Sequence, residues 1–593
     1  MSGTPARAWA RLVRLLPGRE DLAAMRRSPR GDLVAGLTVA VVALPLALGF
    51  GVSSGLGAEA GLATAVVAGA LAAVFGGSNL QVSGPTGAMT VVLVPIVAEH
   101  GADGVLTVGL MAGVLLLALA ALGAGRGARY VPAPVVEGFT LGIACVIGLQ
   151  QVPQALGVEP PEGEHVPLVA WRAVEAFARE PDGTAVAVAA GVAVLMLVGA
   201  RWRPTIPFSL VGVVAATVVV EVAGLESATR IGELPAGLPA PSLGFVDPGA
   251  LGSLVAPAVA VAALAALESL LSASVADGMT VGQRHDPDRE LFGQGLANVA
   301  APLFGGVPAT GAIARTAVNV RTGARSRLAA LAHAVVLAAV VLVAAPLVSR
   351  IPLAALAGVL LATAVRMVEV GSLRSMARAT RSDAVILVLT AVATVALDLI
   401  LAVILGLLTA GGLALRAVAR QARMERVPLD RGDHAAEEHA LLAEHIVAYR
   451  MDGPLFFAGA HRFLLELTEV ADVRVVVLRM SRVTTMDATG ALVLKDAVER
   501  LNRRGIAVLA SGIRAGQRRV LASTGALALF ERVGGDLPNT PEAIVRARAL
   551  LERDGVLTGD DVDAPAREGA AVPAGDGVAA RARGGVAACD PTR

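Results

Sequence analysis

Two short segments combine the residue types that bind an anion through the N-terminal ends of helices. Each contains a proline followed by Thr-Gly-Ala, at Thr86–Ala88 and at Thr310–Ala312. A helix that begins at such a point presents unpaired backbone N–H groups and about half a positive charge. Glycine lets a ligand approach the backbone, and threonine adds a hydroxyl donor. Two such helix ends that converge would bind an anion. The predicted substrate-binding residues are Thr86, Gly87, Ala88, Thr310, Gly311, Ala312 and Arg315.

Two charged residues could complete this chemistry. Arg315 follows the second Thr-Gly-Ala by about one helical turn, where an arginine inside a membrane is costly unless it faces a cavity and pairs with an anion. Glu268 is the only acid in a long apolar segment. Because protonation removes the cost of a charge there, we predict that Glu268 is a proton-coupling carboxylate. A sodium ligand or a structural ion pair between Glu268 and Arg315 are the alternatives.

Other kinds of site find no support in the sequence. The eight histidines are scattered without metal-ligand spacing, and no nucleophile–histidine–acid set appears. Cys145 and Cys589 cannot form a disulfide framework or a cysteine metal site. No Gly-rich stretch is followed by Gly-Lys-Ser/Thr, so ATP-driven transport is not supported. We therefore predict no catalytic residues, no metal and no cofactor, and a protein that is not an enzyme.

The elements that must position these residues are membrane spans. Of the 593 residues, 55% are hydrophobic and 17% charged, which excludes a disordered chain, a nucleic-acid binder and an ordinary cytosolic enzyme. Apolar runs of about twenty residues recur, as in membrane spans. The fourteen predicted segments are 33–51, 59–76, 86–98, 104–123, 133–151, 184–200, 206–223, 254–276, 291–304, 309–320, 327–348, 352–368, 382–399 and 401–418.

Loop charges and two short segments indicate how these spans are arranged. Arginines concentrate in alternate loops, which predicts an even number of spans with both ends of the chain inside. Segments 86–98 and 309–320 reach only about 18–20 Å, less than the ~30 Å of a bilayer core. Short, interrupted segments at matching places in two halves are typical of inverted-repeat transporters with a binding site at the midplane. Two unrelated kinks are the alternative.

The C-terminal part of the chain is polar and alternates strands with helices. Apolar strands are predicted at 473–480 and 506–513, with an amphipathic helix at 487–505 between them and another helical stretch at 460–470. This pattern predicts a small α/β domain. The last residues lack periodicity and are predicted to be disordered. The arginine-rich N-terminal segment is predicted to be either an amphipathic cytoplasmic leader or a solvated tail.

Several strings resemble the sulfate permease (SulP) family, solute carrier family 26, and most closely its bacterial proton-coupled dicarboxylate branch. They are "DLVAGLTVAVVALPLALGFG", "SGPTGAMT", "ALESLLSASVADGMT", "RELFGQGLANVAAPLFGGVPATGAIARTAVNVRTGA" and, near the C-terminus, "TTMDATGALVL". The resemblance covers residues 32–550. It implies an α-helical membrane protein with 14 transmembrane segments in a seven-plus-seven inverted repeat, followed by a cytoplasmic α/β STAS domain. It also implies a homodimer. Arg315 matches the family's central-site arginine, and Glu268 matches the acidic position of segment 8.

Domain boundaries follow from the pattern and the resemblance together. The predicted parts are an N-terminal segment (1–31), a transport domain (32–419), a linker (420–440), the STAS domain (441–554) and a disordered tail (555–593). Within the transport domain, the core is predicted at 32–124 and 254–348, and the gate at 133–223 and 352–418.

Two departures from the family pattern restrict the prediction. Leu46 follows Pro45 where many sulfate carriers have Gln, which weakens a sulfate assignment. Ala488, rather than a phosphorylatable Ser, follows Asp487, with Thr489 one position further, which puts a phosphoswitch in doubt.

The sequence and the resemblance together predict a secondary active, proton-coupled symporter of a small anion. The anion is a dicarboxylate, sulfate or bicarbonate, and the movement of core against gate across a bacterial inner membrane is elevator-like. The alternatives are a sodium-coupled bicarbonate carrier, an anion exchanger or channel, a nucleobase carrier, and a signalling scaffold that acts through the STAS domain. The expected partners are the anion, a proton or sodium ion, the lipid bilayer and a second copy of the chain, with no nucleic acid.

Overall fold

The computed structural model describes residues 15–161, 165–181, 183–203, 206–225, 229–235, 237–397, 399–421, 423–427, 444–457 and 473–556. The chain divides into two compact units, Met1–Gly411 and Gly412–Arg593. The predicted helix at 460–470, most of the predicted linker and the predicted tail from residue 557 lie outside the described residues, as do residues 1–14 of the N-terminal segment.

The first unit is helical. Its helices are α1 (Arg19–Arg27), α2 (Pro29–Ser53), α3 (Gly57–Phe75), α4 (Gly87–Leu122), α5 (Ala133–Gln150), α6 (Val152–Leu156), α7 (Val166–Arg179), α8 (Gly183–Trp202) and α9 (Phe208–Val222). They continue with α10 (Leu251–Met279), α11 (Pro287–Leu303), α12 (Ile313–Arg321), α13 (Leu328–Val348), α14 (Leu353–Met367), α15 (Val370–Ala379), α16 (Arg381–Ala396) and α17 (Leu399–Arg420). The last residues of α17, from Gly412, belong to the second unit. Two-residue strands, β1 (Ser83–Gly84) and β2 (Thr310–Gly311), precede α4 and α12.

All fourteen predicted apolar segments fall on these helices. Segments 3 and 4 form the single helix α4, which is broken at Gly101, where φ is 69°. Nine helices among the described residues are long and apolar enough to cross a membrane. The prediction of a helical membrane domain is therefore confirmed, whereas fourteen complete crossings stay a prediction.

The helices of the first unit pack mainly in two groups. Helices α2, α3, α4 and α10–α13 pack against one another, and so do α5, α8, α9, α14 and α16. Small residues allow close approach: a Cβ atom at Gly61 would lie 2.0 Å from the carbonyl oxygen of Ala47. Helices in a membrane commonly use glycine in this way. The division into core and gate, and the movement of one against the other, stay predictions.

Helix α1 is attached to the first group of helices by one carboxylate. Asp21 accepts a hydrogen bond from the Nη2 atom of Arg289 at 2.7 Å and one from Nε of Arg327 at 3.1 Å. Arg327 also donates to the carbonyl oxygen of Gly76, after the end of α3. Burial alone would raise the pKa of the Asp21 carboxyl, but the hydrogen bond from Arg289 and the charge of Arg327 hold it below its ordinary value of 3.8.

We expect Asp21→Asn to release α1 at neutral pH. Hydrogen bonds to charged groups contribute about 1.5–3 kcal/mol each, so amide hydrogen exchange in residues 19–27 should accelerate by about tenfold or more. A lowered pKa in the folded state means that the stabilisation is present at neutral pH and is lost as pH falls through that pKa. The amide exchange rates of wild-type protein should therefore approach those of the variant below pH 4. Glu20→Gln, on the exposed side of α1, is the control, and equal exchange rates for both variants would contradict the attachment.

The second unit contains a mixed sheet. Its strands are β3 (Arg423–Val427), β4 (Ile446–Leu455), β5 (Val475–Arg479), β6 (Val483–Met486), β7 (Ala507–Ser511) and β8 (Asp536–Leu537). The order is β3-β4-β5-β7-β8, with β6 beside β4, and only β3 runs antiparallel to its neighbour. The helices are α18 (Ala488–Arg503), α19 (Ala515–Ser523), α20 (Ala526–Glu531) and α21 (Thr540–Arg553).

This second unit has its own apolar core on each face of the sheet. Side chains of α18 and α20 cover one face, and those of α21 cover the other. Asp487 caps α18 by accepting a hydrogen bond from the backbone N–H of Gly490 at 2.7 Å. The predicted strands and amphipathic helix are present, so the α/β prediction is confirmed.

Candidate functional site

The two Thr-Gly-Ala segments meet at one point in the first unit. Strand β1 pairs antiparallel with β2, with Ser83 opposite Gly311 and Gly84 opposite Thr310. We call this ladder the crossing. Helix α4 begins three residues after β1, and α12 begins two residues after β2. The crossing therefore brings the N-terminal ends of two helices together, as the sequence predicts. Helix α12 has nine residues and is only about 13 Å long.

The two helix ends offer different backbone donors. Within the described chain, the N–H groups of Gly87 and Ala88 in the first turn of α4 have no hydrogen-bond partner. At the second segment, the N–H of Gly311 donates to Oγ of Ser269 at 2.9 Å, and that of Ala312 donates to the carbonyl oxygen of Val82 at 2.9 Å. Gly311 and Ala312 therefore shape the crossing with their backbone N–H groups instead of offering them to a ligand.

Arg315 lies beside the crossing and is 2% exposed. Its Nη2 atom donates to the carbonyl oxygen of Pro85 at 2.7 Å. Its Nη1 atom is buried and has no hydrogen-bond partner among the described residues. A Cβ atom at Gly84 would lie 2.7 Å from Nη1, so glycine makes room for the guanidinium group. Since buried donors are nearly always paired, this atom needs an acceptor.

Glu268 approaches the crossing from α10. The hydroxyl of Thr86 donates to its Oε2 atom at 2.9 Å, and the same hydroxyl oxygen accepts from the N–H of Met89 at 3.4 Å. The same Thr86 hydroxyl thus caps α4 and also contacts Glu268, the predicted coupling carboxylate. Glu268 and Arg315 are both described, and no ion pair within 4.0 Å joins them. The direct structural ion pair left open by the sequence is therefore absent from this conformation.

Thr310 is fully buried, and its hydroxyl oxygen accepts a hydrogen bond from Oγ of Ser269 at 3.2 Å. Thr310 lies in the crossing, Thr86 is the N-cap of α4, and Gly87 and Ala88 lie in the first turn of α4. The structure thus brings the predicted site residues together, while their contact with a substrate stays a prediction. Among the described residues, no group of three or more His, Cys, Asp or Glu could hold a metal ion.

Sequence reasoning missed a row of buried polar residues on α11. Glu290, Gln294 and Asn298 are spaced by four residues, so they share one helix face, and all are at most 1% exposed. The amide of Asn298 donates to the carbonyl oxygen of Ala309 at 2.9 Å and accepts from its N–H at 2.8 Å, just before β2. Polar residues at this spacing, one just before a predicted span and two within it, were the available signal.

His333 on α13 was also missed. It is fully buried, and neither ring nitrogen has a hydrogen-bond partner among the described residues. A Cβ atom at Gly69 would lie 3.3 Å from the carbonyl oxygen of Ser83 and 4.0 Å from Nδ1 of His333. His333 therefore lies near the back of β1, across from a glycine of α3.

The fold and the crossing define a multi-span membrane protein with an appended α/β domain. Residues 30–390 match the model of the sulfate permease family, and residues 440–539 match the STAS domain. The chain belongs to the sulfate permease family, which is a family of transporters, and it carries a C-terminal STAS domain. The resemblance seen in the sequence is thereby confirmed at the level of the family.

Proteins similar in sequence to this chain are named as transporters. The putative sulfate transporter YvdB of Bacillus subtilis is 36% identical over 516 residues, covering 85% of this chain and 94% of that protein. The bicarbonate transporter BicA of Picosynechococcus sp. is 32% identical, covering 91% of this chain and 98% of that protein. Among solved structures, the transmembrane domain of a cyanobacterial BicA is 34% identical, with a TM-score of 0.59, covering 65% of this chain and 98% of that one.

Proposed function

We propose that this protein is a secondary active transporter of a small anion. The observation that carries the proposal is the buried Nη1 donor of Arg315, which has no partner among the described residues beside two converging helix ends. The unpaired N–H groups of Gly87 and Ala88 and the dipole of α4 favour a negative charge at the same place. Sulfate, bicarbonate and a dicarboxylate all suit this chemistry.

The coupling ion in this proposal is a proton, and Glu268 takes it up. The carboxylate lies next to the start of α4 through its contact with Thr86, so its charge and an anion held by α4 influence each other. A proton on Glu268 removes a negative charge near the bound anion, which favours binding and movement of both together. An inward proton gradient then drives entry of the anion.

A sodium-coupled bicarbonate carrier is the second candidate. The name of the relative BicA favours bicarbonate, and a half-buried carboxylate beside the hydroxyl of Thr86 is also suited to sodium. In that case Glu268 would remain charged and bind the cation directly.

We further propose an elevator-like movement of the first helix group against the second, a homodimer, and a cytoplasmic location for both chain ends and the STAS domain. The arginine-rich alternate loops support the cytoplasmic location, and the division of helices between two packing groups supports the movement. The homodimer is proposed from membership of the sulfate permease family.

Uptake into proteoliposomes tests the proposal. Sulfate, bicarbonate and succinate are each supplied as labelled anions, with an inward proton gradient, with an inward sodium gradient, and with neither. Proton-driven accumulation of any one of them would support the leading proposal. Accumulation driven by sodium alone would support the second candidate, and no uptake of any anion would overturn both.

Removal of the STAS domain gives a separate prediction. Because the second unit has its own cores, deletion of residues from 440 onward should leave a folded membrane domain that still binds the anion within a few-fold of wild type. Binding by the truncated protein in detergent, beside its thermal unfolding curve, is the measurement. A folded truncation without any anion binding would show that the functional unit extends into the second domain.

A further inference from the structure

Glu290 is a fully buried carboxylate at the start of α11 with four hydrogen-bond donors. Its Oε2 atom accepts from the backbone N–H groups of Gly77 at 2.8 Å and Ser78 at 3.1 Å. Its Oε1 atom accepts from Nε2 of Gln81 at 2.8 Å and Nε2 of Gln294 at 2.9 Å. Charge-assisted bonds of this kind are strong, and a carboxylate with several donors is held in one orientation.

The side-chain amide of Gln81 lies against β2. A Cβ atom at Gly311 would be 1.9 Å from Nε2 of Gln81, so the amide of Gln81 is in direct contact with the glycine backbone of β2. Glu290 holds that amide from the other side. The carboxylate therefore limits where β2 can lie.

The side-chain amide of Gln294 contacts β1. Nε2 of Gln294 donates to Oγ of Ser83 at 2.7 Å and to Glu290 at 2.9 Å. Ser83 is the β1 residue that pairs with Gly311. One carboxylate is thus connected to both partners of the same ladder pair, through Gln81 on one side and Gln294 on the other.

We propose that Glu290 is a positioning residue for the anion site. By holding Gln81 and Gln294, it sets the register of the crossing, and the register places the helix ends of α4 and α12 and the Pro85 carbonyl that orients Arg315. The inference rests on the proposed function, since it concerns the same anion site. Glu290 acts on affinity without touching the anion.

Asp32 provides a matched control within the same helix group. It is also fully buried and accepts from the N–H of Arg325 at 2.7 Å, the N–H of Ser326 at 3.2 Å and the hydroxyl of Ser326 at 2.6 Å. These contacts hold the residues just before α13 and do not include β1 or β2. Asp32→Asn and Glu290→Gln each replace one buried carboxylate by an amide, but only Glu290→Gln affects the crossing.

The experiment measures concentration-dependent uptake by the full chain in proteoliposomes, with whichever of sulfate, bicarbonate and succinate the wild type transports best. Glu290→Gln presents an NH2 group to donors that need an acceptor, and an unsatisfied buried donor costs enough to raise the apparent KM about tenfold or more. The maximal rate should change much less. Asp32→Asn should keep the wild-type KM while losing about as much thermal stability as Glu290→Gln does.

Ser83→Ala and Gln81→Leu keep the experiment decisive if Glu290→Gln fails to fold. Each removes one connection between Glu290 and the crossing, and each should raise KM several-fold with little loss of maximal rate. The inference would be overturned if every folded variant among Glu290→Gln, Ser83→Ala and Gln81→Leu kept the wild-type KM. It would also be overturned if Asp32→Asn raised KM as much as they do. Either result would leave the proposed function intact. A wild type that transports none of the three anions would overturn both.

Discussion

Arg315→Ala should abolish anion binding while the protein remains folded. The substitution removes the only positive side chain that the structure places beside the crossing among the described residues, together with the donor to Pro85. Truncating one partner of a buried, hydrogen-bonded charge pair costs about 2–5 kcal/mol, so affinity should fall by at least about 30-fold. Binding is measured by calorimetry in detergent, together with the thermal unfolding curve.

Two further variants separate charge from geometry. Arg315→Lys keeps the charge but lacks the planar, fixed arrangement of donors that a guanidinium has, so it should bind more weakly than wild type and better than Arg315→Ala. Arg321→Ala, at the exposed end of the same short helix, should bind as wild type does. An Arg315→Ala protein that binds within a few-fold of wild type would remove Arg315 from the site, whereas an unfolded product would favour a structural role.

Glu268→Gln should separate anion binding from proton coupling. Glutamine is close in shape to a protonated glutamate, and its side-chain oxygen can still accept the hydroxyl of Thr86. Anion binding should therefore persist, because it depends on the helix ends and Arg315. Accumulation driven by a proton gradient, and its dependence on pH, should both be lost, since no proton can be exchanged at the amide. Exchange of internal for external anion should survive.

The measurement is uptake at several pH gradients for the wild type and Glu268→Gln side by side. Glu99→Gln makes the same change at an exposed acid and should leave proton-driven uptake unchanged. If Glu268→Gln still accumulates the anion in response to the pH gradient, Glu268 is not the coupling group. Uptake by the wild type that follows a sodium gradient and ignores pH would instead identify Glu268 as part of a cation site.

The position of Thr86 connects the two predictions. Its hydroxyl donates to Glu268 while its oxygen accepts from the first turn of α4, so two hydrogen bonds through one hydroxyl join the carboxylate to the helix end. A change of charge at Glu268 therefore changes the electrostatic potential where the anion is proposed to bind. Arg315 approaches the same place from the other helix and is oriented by the carbonyl of Pro85.

The sequence alone determined the features that depend on neighbouring residues. Long apolar runs predict helices, because a membrane span must satisfy its backbone polar groups within one segment. Proline and glycine before each Thr-Gly-Ala predict the two interrupted segments, and period-two and helical patterns predict the C-terminal α/β domain. Arg315 and Glu268 are recognisable because a charge in an apolar stretch needs a reason.

Only the tertiary structure decided how these pieces meet. The pairing of Ser83 with Gly311 joins residues 228 positions apart, and no local pattern specifies that register. The structure gives Arg315 the carbonyl of Pro85 as its partner, and gives Glu268 the hydroxyl of Thr86. It also gives Glu290 the side-chain amides of Gln81 and Gln294 as partners. Hydrogen bonds between distant segments depend on packing of whole helices, so the sequence shows which groups need partners and the fold determines which partners they find.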